Sequence, residues 1–124
     1  MTDCLFCSIP DDRIIKENDL AFAMRDGFPV TAYHTLIIPK RHAETYFDMT
    51  RDEKEACDEL MTQLRSEILD LDSSVTGFNI GMNAGISAGQ TIFHCHIHLI
   101  PRRDGDVEQP RGGVRGVIPH KQSY

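Results

Sequence analysis

Short apolar runs separated by polar breaks mark out most of the chain. Arg13–Glu17 and Leu20–Met24 read as two strands, and Asn18-Asp19 between them is a pair suited to a hairpin turn. Thr35–Ile38 is a third, short and apolar, which Pro39 is expected to stop because it has no amide hydrogen for a ladder. After Thr50 the period lengthens. Ala56, Leu60, Leu64 and Ile68 recur every four residues with Met61 beside them, while Glu53, Lys54, Asp58, Glu59 and Arg65 take the other side. Thr50-x-x-Glu53 forms a capping box at the start of this helix, and Gly77, after the polar stretch Asp70–Ser74, marks its exit. Phe78–Met82 and Ile92–Ile100 read as further strands around the glycine-bearing loop Asn83–Gly89. The pattern predicts an α+β domain over residues 1–106: an antiparallel sheet of about five strands with one long helix packed on it. Residues 107–124 are expected to be an irregular tail, ordered against the domain or a partner chain.

Composition narrows the class. With 124 residues, 40% hydrophobic and 26% charged, the chain can bury a core without disulfides. A net charge of -6 argues against nucleic acid and membrane surfaces as partners. No apolar run approaches the ~18 residues of a membrane span. The N-terminus has no basic and apolar leader, which makes the cytoplasm the expected address. Of the four cysteines, Cys57 and Cys95 fall on apolar patterns and read as small hydrophobes. Cys4 and Cys7 form a C-x-x-C, which in a reducing compartment points to metal or redox chemistry.

The sharpest chemical signal is His94-Cys95-His96-Ile97-His98-Leu99-Ile100. As a strand it would turn His94, His96 and His98 to one face and Cys95, Ile97 and Leu99 to the other. Backbones two residues apart are about 6.8 Å apart at a ~3.4 Å rise, so a phosphate fits across two of the rings. One regular strand does not let all three rings converge on one ion, though two could share it. A neutral imidazole can attack phosphorus, forming a covalent intermediate, while a second assists the departing atom. The preceding loop, Asn83 to Thr91, offers backbone amides with amide and hydroxyl side chains for a phosphate, with no obligatory magnesium.

These residues resemble the His-φ-His-φ-His-φ-φ signature of the histidine triad (HIT) superfamily. Asp26-Gly27-Phe28-Pro29, His34 through His42, and Asn83 through Thr91 follow its order and approximate spacing over residues 4–106. Arg102 to Asp106 resembles the fragile-histidine-triad and diadenosine tetraphosphate hydrolase branch. The resemblance implies a nucleotide hydrolase acting at the α-phosphate of dinucleoside polyphosphates through a nucleotidyl-histidine intermediate. Nucleoside phosphoramidate hydrolysis and a non-catalytic nucleotide-binding module are the alternatives. Carried over, His96 is the nucleophile, His98 contacts the phosphate and the leaving atom, and Gln90 assists them. Asp26, Asn83, Gly89, Gln90, Thr91 and His98 bind substrate, with Asp26 on the ribose hydroxyls. Leu20, Phe22 and Ile37 line the base pocket. Ala32-Tyr33 departs from the Pro-Gly common before His34.

A subset of the family carries a similar cysteine pair completed by two histidines. Those positions match His42 and His94, so the resemblance implies a closed Cys₂His₂ structural zinc site of Cys4, Cys7, His42 and His94, with His34 a lower-ranked substitute for His42. Arg111 and Arg115 offer fork-shaped contacts to a long phosphate chain. A two-fold homodimer is also implied.

Overall fold

The structure, a computed structural model, describes residues 4–124. Strands β1 (Ile14–Glu17), β2 (Ala21–Arg25), β3 (Thr35–Pro39), β4 (Val75–Gly81) and β5 (Ile97–Arg103) form one antiparallel sheet. Their order is β1-β2-β3-β5-β4. One α-helix, α1 (Arg51–Leu71), packs on the sheet. This is the expected α+β architecture. No helix among the described residues is long and apolar enough to cross a membrane.

The helix buries Cys57, Leu60, Leu64 and Ile68 against Ala23, Ile37, Ile97 and Leu99 of the sheet. Cys57 and Cys95 lie in this core, and burial pushes their thiols up to about 12 and about 11. The opposite face of β2 and β3 presents Phe22, Met24, Leu36 and Ile38 to Phe6, from the segment that carries the cysteine pair. Every residue of β3 is therefore buried. Whatever stands beside β3 on the Phe6 side is placed by a strand packed on both faces.

The capping box forms as the sequence predicts. Glu53 N donates to Thr50 Oγ1 at 3.1 Å, and Thr50 N donates to Glu53 Oε1 at 2.8 Å. Arg41 joins it from the loop before the helix, with Nε 2.8 Å from Oε2 and Nη2 2.9 Å from Oε1 of Glu53. The Arg41 bonds outweigh the burial of Glu53 and hold its carboxyl down from 4.5 to about 2. We predict that Glu53→Gln lowers stability at pH 7 by ~2 kcal/mol, the cost of losing charged hydrogen bonds at a buried site. Because the folded-state pKa is depressed, the wild-type advantage is full above about pH 4.5 and fades as pH falls toward 2. Urea unfolding of both proteins at pH 7 and pH 2.5 checks this: the gap between them should narrow at the lower pH.

Strands β1 and β2 begin one residue later than the sequence predicts, and Pro39 closes β3 as its last paired residue instead of stopping it at Ile38; three larger differences have physical reasons. Helix α1 ends at Leu71 and is capped by Asp72, whose Oδ1 accepts from Ser74 N and Oγ at 2.9 and 2.6 Å. Gly77 lies inside β4, where the register with β5 is irregular. Strand β5 covers 97–103 and not 92–100. Pairing of β3 with β5 ends at Ile37 and Ile97. Beyond it Pro39 pairs with Ala21 of β2, and its carbonyl accepts from the His94 ring. Residues 107–124 carry two 3-10 turns, Gly113–Val117 and Pro119–Lys121. Gln122 Nε2 ties this segment together through the Gln109 and Arg111 carbonyls, at 3.3 and 3.4 Å.

Candidate active site and metal centre

Residues 94–96 precede β5, yet the alternation survives the bend. Cys95, Ile97 and Leu99 enter the helix-side core, and the His96 and His98 rings stand on the other side, 5.3 Å apart. The Phe6 ring meets His96 edge-on at 4.9 Å. Backbone sets the His96 tautomer. Its Nδ1 lies 2.8 Å from the His94 carbonyl oxygen, which can only accept, so Nδ1 carries the proton and Nε2 keeps its lone pair.

A second chain of bonds sets His98. The Val30 amide donates to His34 Nδ1 at 3.0 Å, which leaves the His34 proton on Nε2. That Nε2 stands 2.9 Å from His98 Nδ1, so His98 accepts there and presents Nε2–H. Asp26 Oδ2 is 3.4 Å from His34 Nε2 and 4.0 Å from His98 Nδ1. Burial lowers the pKa of His34 against the pull of Asp26. Burial also lowers that of His98, with help from His96 and His34. His34 and His98 are thus both neutral at neutral pH, and His98 turns its Nε2–H outward beside the His96 ring. His34 is the residue whose place the sequence reading missed. The sequence ranks it as a substitute metal ligand for His42, and in the fold it braces His98.

The other predicted residues are placed unevenly. Asp26 faces the His34–His98 pair with Oδ2, while Oδ1 accepts from the Phe28 amide at 2.8 Å. Gln90 is buried with both ends of its amide engaged: Oε1 accepts from Gly85 N at 2.8 Å, and Nε2 donates to the Glu44 and Ile92 carbonyls. It fastens the loop and turns no polar atom toward His98. The Gly89 amide closes a turn onto the Ile86 carbonyl, and Gly89 itself adopts φ +95. Asn83 and Thr91 are exposed along the same loop. Of the apolar trio, Phe22 lies in the Phe6 cluster, Leu20 is partly exposed at the hairpin, and Ile37 packs under α1. Ile37 therefore faces away from the histidines, because neighbouring strand residues point to opposite faces.

Tyr33 has φ +71, the left-handed conformation that glycine adopts freely. Its carbonyl accepts from Thr35 Oγ1 at 2.7 Å, and the Arg25 guanidinium lies over its ring at 5.3 Å. The turn that delivers His34 is thus held by side chains.

Beyond His96, the ligand atoms of Cys4, Cys7, His42 and His94 lie within 4.8 Å of one another. Cys4 Sγ is 3.3 Å and Cys7 Sγ 3.5 Å from His94 Nδ1, and Cys7 Sγ is 3.3 Å from His42 Nδ1. Tetrahedral zinc with its usual Zn–S and Zn–N bonds sets such sulfur–nitrogen pairs roughly 3.6 Å apart, so the donor set fits that ion. His94 is fully buried, and its Nε2–H donates to the Pro39 carbonyl at 2.7 Å. This leaves Nδ1 as a lone pair aimed at the sulfurs, the outer-sphere support that metal-ligating histidines use. Burial, then the neighbouring Cys4, raises the Cys7 thiol, a repulsion that a bound dication would reverse. His34, bonded to His98, is not part of this cluster.

Comparison with known proteins agrees with this geometry. The HIT domain model matches residues 9–105. Adenylylsulfatase HINT3 of Arabidopsis thaliana is 35% identical over 108 residues, spanning 84% of this chain and 54% of its own. A Zn-bound histidine triad family protein from Mycobacterium smegmatis superposes with a TM-score of 0.75 at 31% identity, covering 84% of this chain and 78% of that one. Plasmodium falciparum diadenosine triphosphate hydrolase, solved with Cyclomarin A, gives a TM-score of 0.74 at 25% identity, covering 82% of this chain and 68% of that one. Sheet order, histidine face and sequence match converge: the chain belongs to the HIT domain family.

Proposed function

We propose that the protein is a nucleotide hydrolase that cleaves a phosphoric anhydride at the α-phosphate through a nucleotidyl-His96 intermediate. One observation carries the reading. His96 Nε2 is left with its lone pair by the His94 carbonyl, beside the outward Nε2–H of His98. In the first step the Nε2 lone pair bonds to phosphorus, and the bond to the leaving oxygen breaks. That oxygen keeps the electron pair and accepts a hydrogen bond from His98 Nε2–H. Water then attacks phosphorus, a proton passes to solvent, and the pair of the breaking P–N bond returns to His96. The product is a nucleoside monophosphate. Covalent catalysis of this kind splits one hard displacement into two easier ones.

His98 is a hydrogen-bond donor more than a proton source. Protonating its Nδ1 would require His34 Nε2 to accept, with the His34 proton moved to Nδ1, where the Val30 amide already donates. An anhydride suits such a site, because its leaving oxygen departs as a stable anion. An amine does not, and phosphoramidates are therefore the second reading. In this scheme Gln90 and His34 position the loop and His98, Asp26 reaches a ribose hydroxyl or braces the histidine pair, and Asn83, Gly89 and Thr91 border the phosphate. Cys4, Cys7, His42 and His94 hold a structural zinc that pins the N-terminal segment beside His96. The activities named for two relatives, adenylylsulfatase and diadenosine triphosphate hydrolase, support the anhydride class. A two-fold dimer and a cytoplasmic address belong to the same reading.

The test is a turnover panel of diadenosine tetraphosphate, adenylyl sulfate and adenosine 5′-phosphoramidate, with acid quench to trap labelled protein. Anhydride turnover with label on His96 is expected. Phosphoramidate turnover alone supports the second reading, and binding without turnover supports a non-catalytic module.

A further inference from the structure

The four donors of the metal cluster are unevenly enclosed. His94 is fully buried and Cys4 half-buried, whereas Cys7 and His42 are exposed. Solvent therefore reaches the cluster on a side that carries a sulfur. The chain's other two thiols, Cys57 and Cys95, are 1% and 2% exposed within the helix-side core. Any reagent that attacks sulfur in the folded protein meets Cys7 first.

The cysteines are also spaced to react with each other. Cys4 caps the 3-10 turn Leu5–Cys7, and the Cys7 amide donates to the Cys4 carbonyl at 3.2 Å. A turn closed in this way holds its end Cα atoms within about 7 Å, the span that a disulfide bridges. Both sulfurs lie on the His94 side of the turn, 3.3 and 3.5 Å from its Nδ1 and within 4.8 Å of each other. Joining them asks for side-chain rotation more than backbone movement. The turn also carries Phe6, which caps Phe22, Met24, Leu36 and Ile38 and meets the His96 ring edge-on at 4.9 Å. His94, a donor of the same cluster, supplies the carbonyl that fixes the His96 tautomer. The cluster thus holds His96 from two directions, through the Phe6 edge and through the His94 backbone.

We infer that Cys4 and Cys7 form a peroxide-sensitive switch, in which their oxidation to a disulfide releases the metal and loosens Phe6 from His96. The inference rests on the structural-zinc reading above and is independent of which substrate His96 attacks. Coordination keeps both sulfurs as thiolates, the nucleophilic form. The exposed Cys7 Sγ attacks one oxygen of hydrogen peroxide, the O–O bond breaks, and hydroxide departs with its electron pair, leaving a sulfenic acid. Cys4 Sγ then attacks Cys7 Sγ, and a second hydroxide departs as the S–S bond forms. The sulfurs have lost two electrons to the peroxide, and the two hydroxides balance the charge of the freed dication. A thiol reductant returns both electrons. In a reducing compartment such a bond is transient, which suits a switch and not a permanent staple. Once joined, the sulfurs no longer tie the turn to His42 and His94, and Phe6 is held by packing alone.

The experiment treats the zinc-loaded whole chain with hydrogen peroxide. A chromogenic chelator follows the zinc, peptide mass mapping locates the disulfide, and NMR reads the His96 ring. Stoichiometric zinc release with a Cys4–Cys7 bond is expected, together with a fall in Tm of roughly 10 °C, as for loss of the metal. The His96 ring resonances should shift as Phe6 moves away, and thiol reductant with added zinc should restore all three signals. Cys7→His keeps four donors but removes one sulfur, so it should retain zinc at peroxide concentrations that empty the wild type. Zinc that stays bound to the wild type, or that leaves without a Cys4–Cys7 bond, overturns the switch while leaving the metal reading intact. So does equal zinc loss from Cys7→His, and so do His96 resonances that stay in place as the zinc leaves. If the purified protein carries no zinc and takes none up, the metal reading fails and the switch falls with it.

Discussion

His96→Ala lowers turnover of an anhydride substrate by at least ~10⁴-fold, the scale seen when a covalent nucleophile is removed, while nucleotide affinity stays within about tenfold, or ~1.4 kcal/mol. The two quantities separate because of where the ring sits. His96 is fixed by a backbone carbonyl and by the edge of Phe6, and neither contact is a structural hub of the sheet. The helix-side core runs through Cys95 and Ile97 on its two flanks and is untouched by the substitution. Steady-state kinetics and calorimetric titration with a non-hydrolysable nucleotide give the two numbers. Turnover at the wild-type rate would remove the covalent intermediate, and a parallel collapse of affinity would recast His96 as a binding residue.

The double substitution Cys4→Ser, Cys7→Ser should abolish stoichiometric zinc and lower Tm by roughly 10 °C, corresponding to about 3 kcal/mol for a domain of this size. The cysteines are the N-terminal segment's tie to the loop at His42 and to buried His94, and Phe6 between them caps the Phe22, Met24, Leu36 and Ile38 cluster. Without the metal that cap is held by packing alone. Metal analysis of the purified wild type, followed by thermal melts with and without a chelator, reads both effects. Zinc-free wild type that melts identically with chelator would defeat the metal assignment.

The helix was legible because two independent signals, the four-residue apolar period and the Thr50–Glu53 box, fall on the same residues. The C-x-x-C and the histidine strand likewise marked where chemistry gathers. What escaped was set by contacts distant in sequence. The start of β5 depends on Pro39 giving its carbonyl to His94, 55 residues away, and no local pattern records that bond. His34 bracing His98 is of the same kind, 64 residues apart, and is visible only once β3 and β5 are neighbours. Gln90 shows the opposite case. Its motif position points to substrate, whereas its burial gives both ends of its amide to the loop backbone. The segment from Arg102 to Asp106, which resembles the diadenosine tetraphosphate hydrolase branch, is tied internally, with Asp106 holding Arg102 and Asp72 holding Arg103.

Tyr33 shows how one backbone corner admits two solutions. A glycine there would relieve ~1 kcal/mol of left-handed strain, but it would forfeit the ring that Arg25 covers and that packs beside the core. The two costs are of similar size, so an ancestor could exchange one residue for the other without a lasting penalty. Such near-degeneracy allows the rim of a binding site to drift while the imidazole behind it keeps its aim.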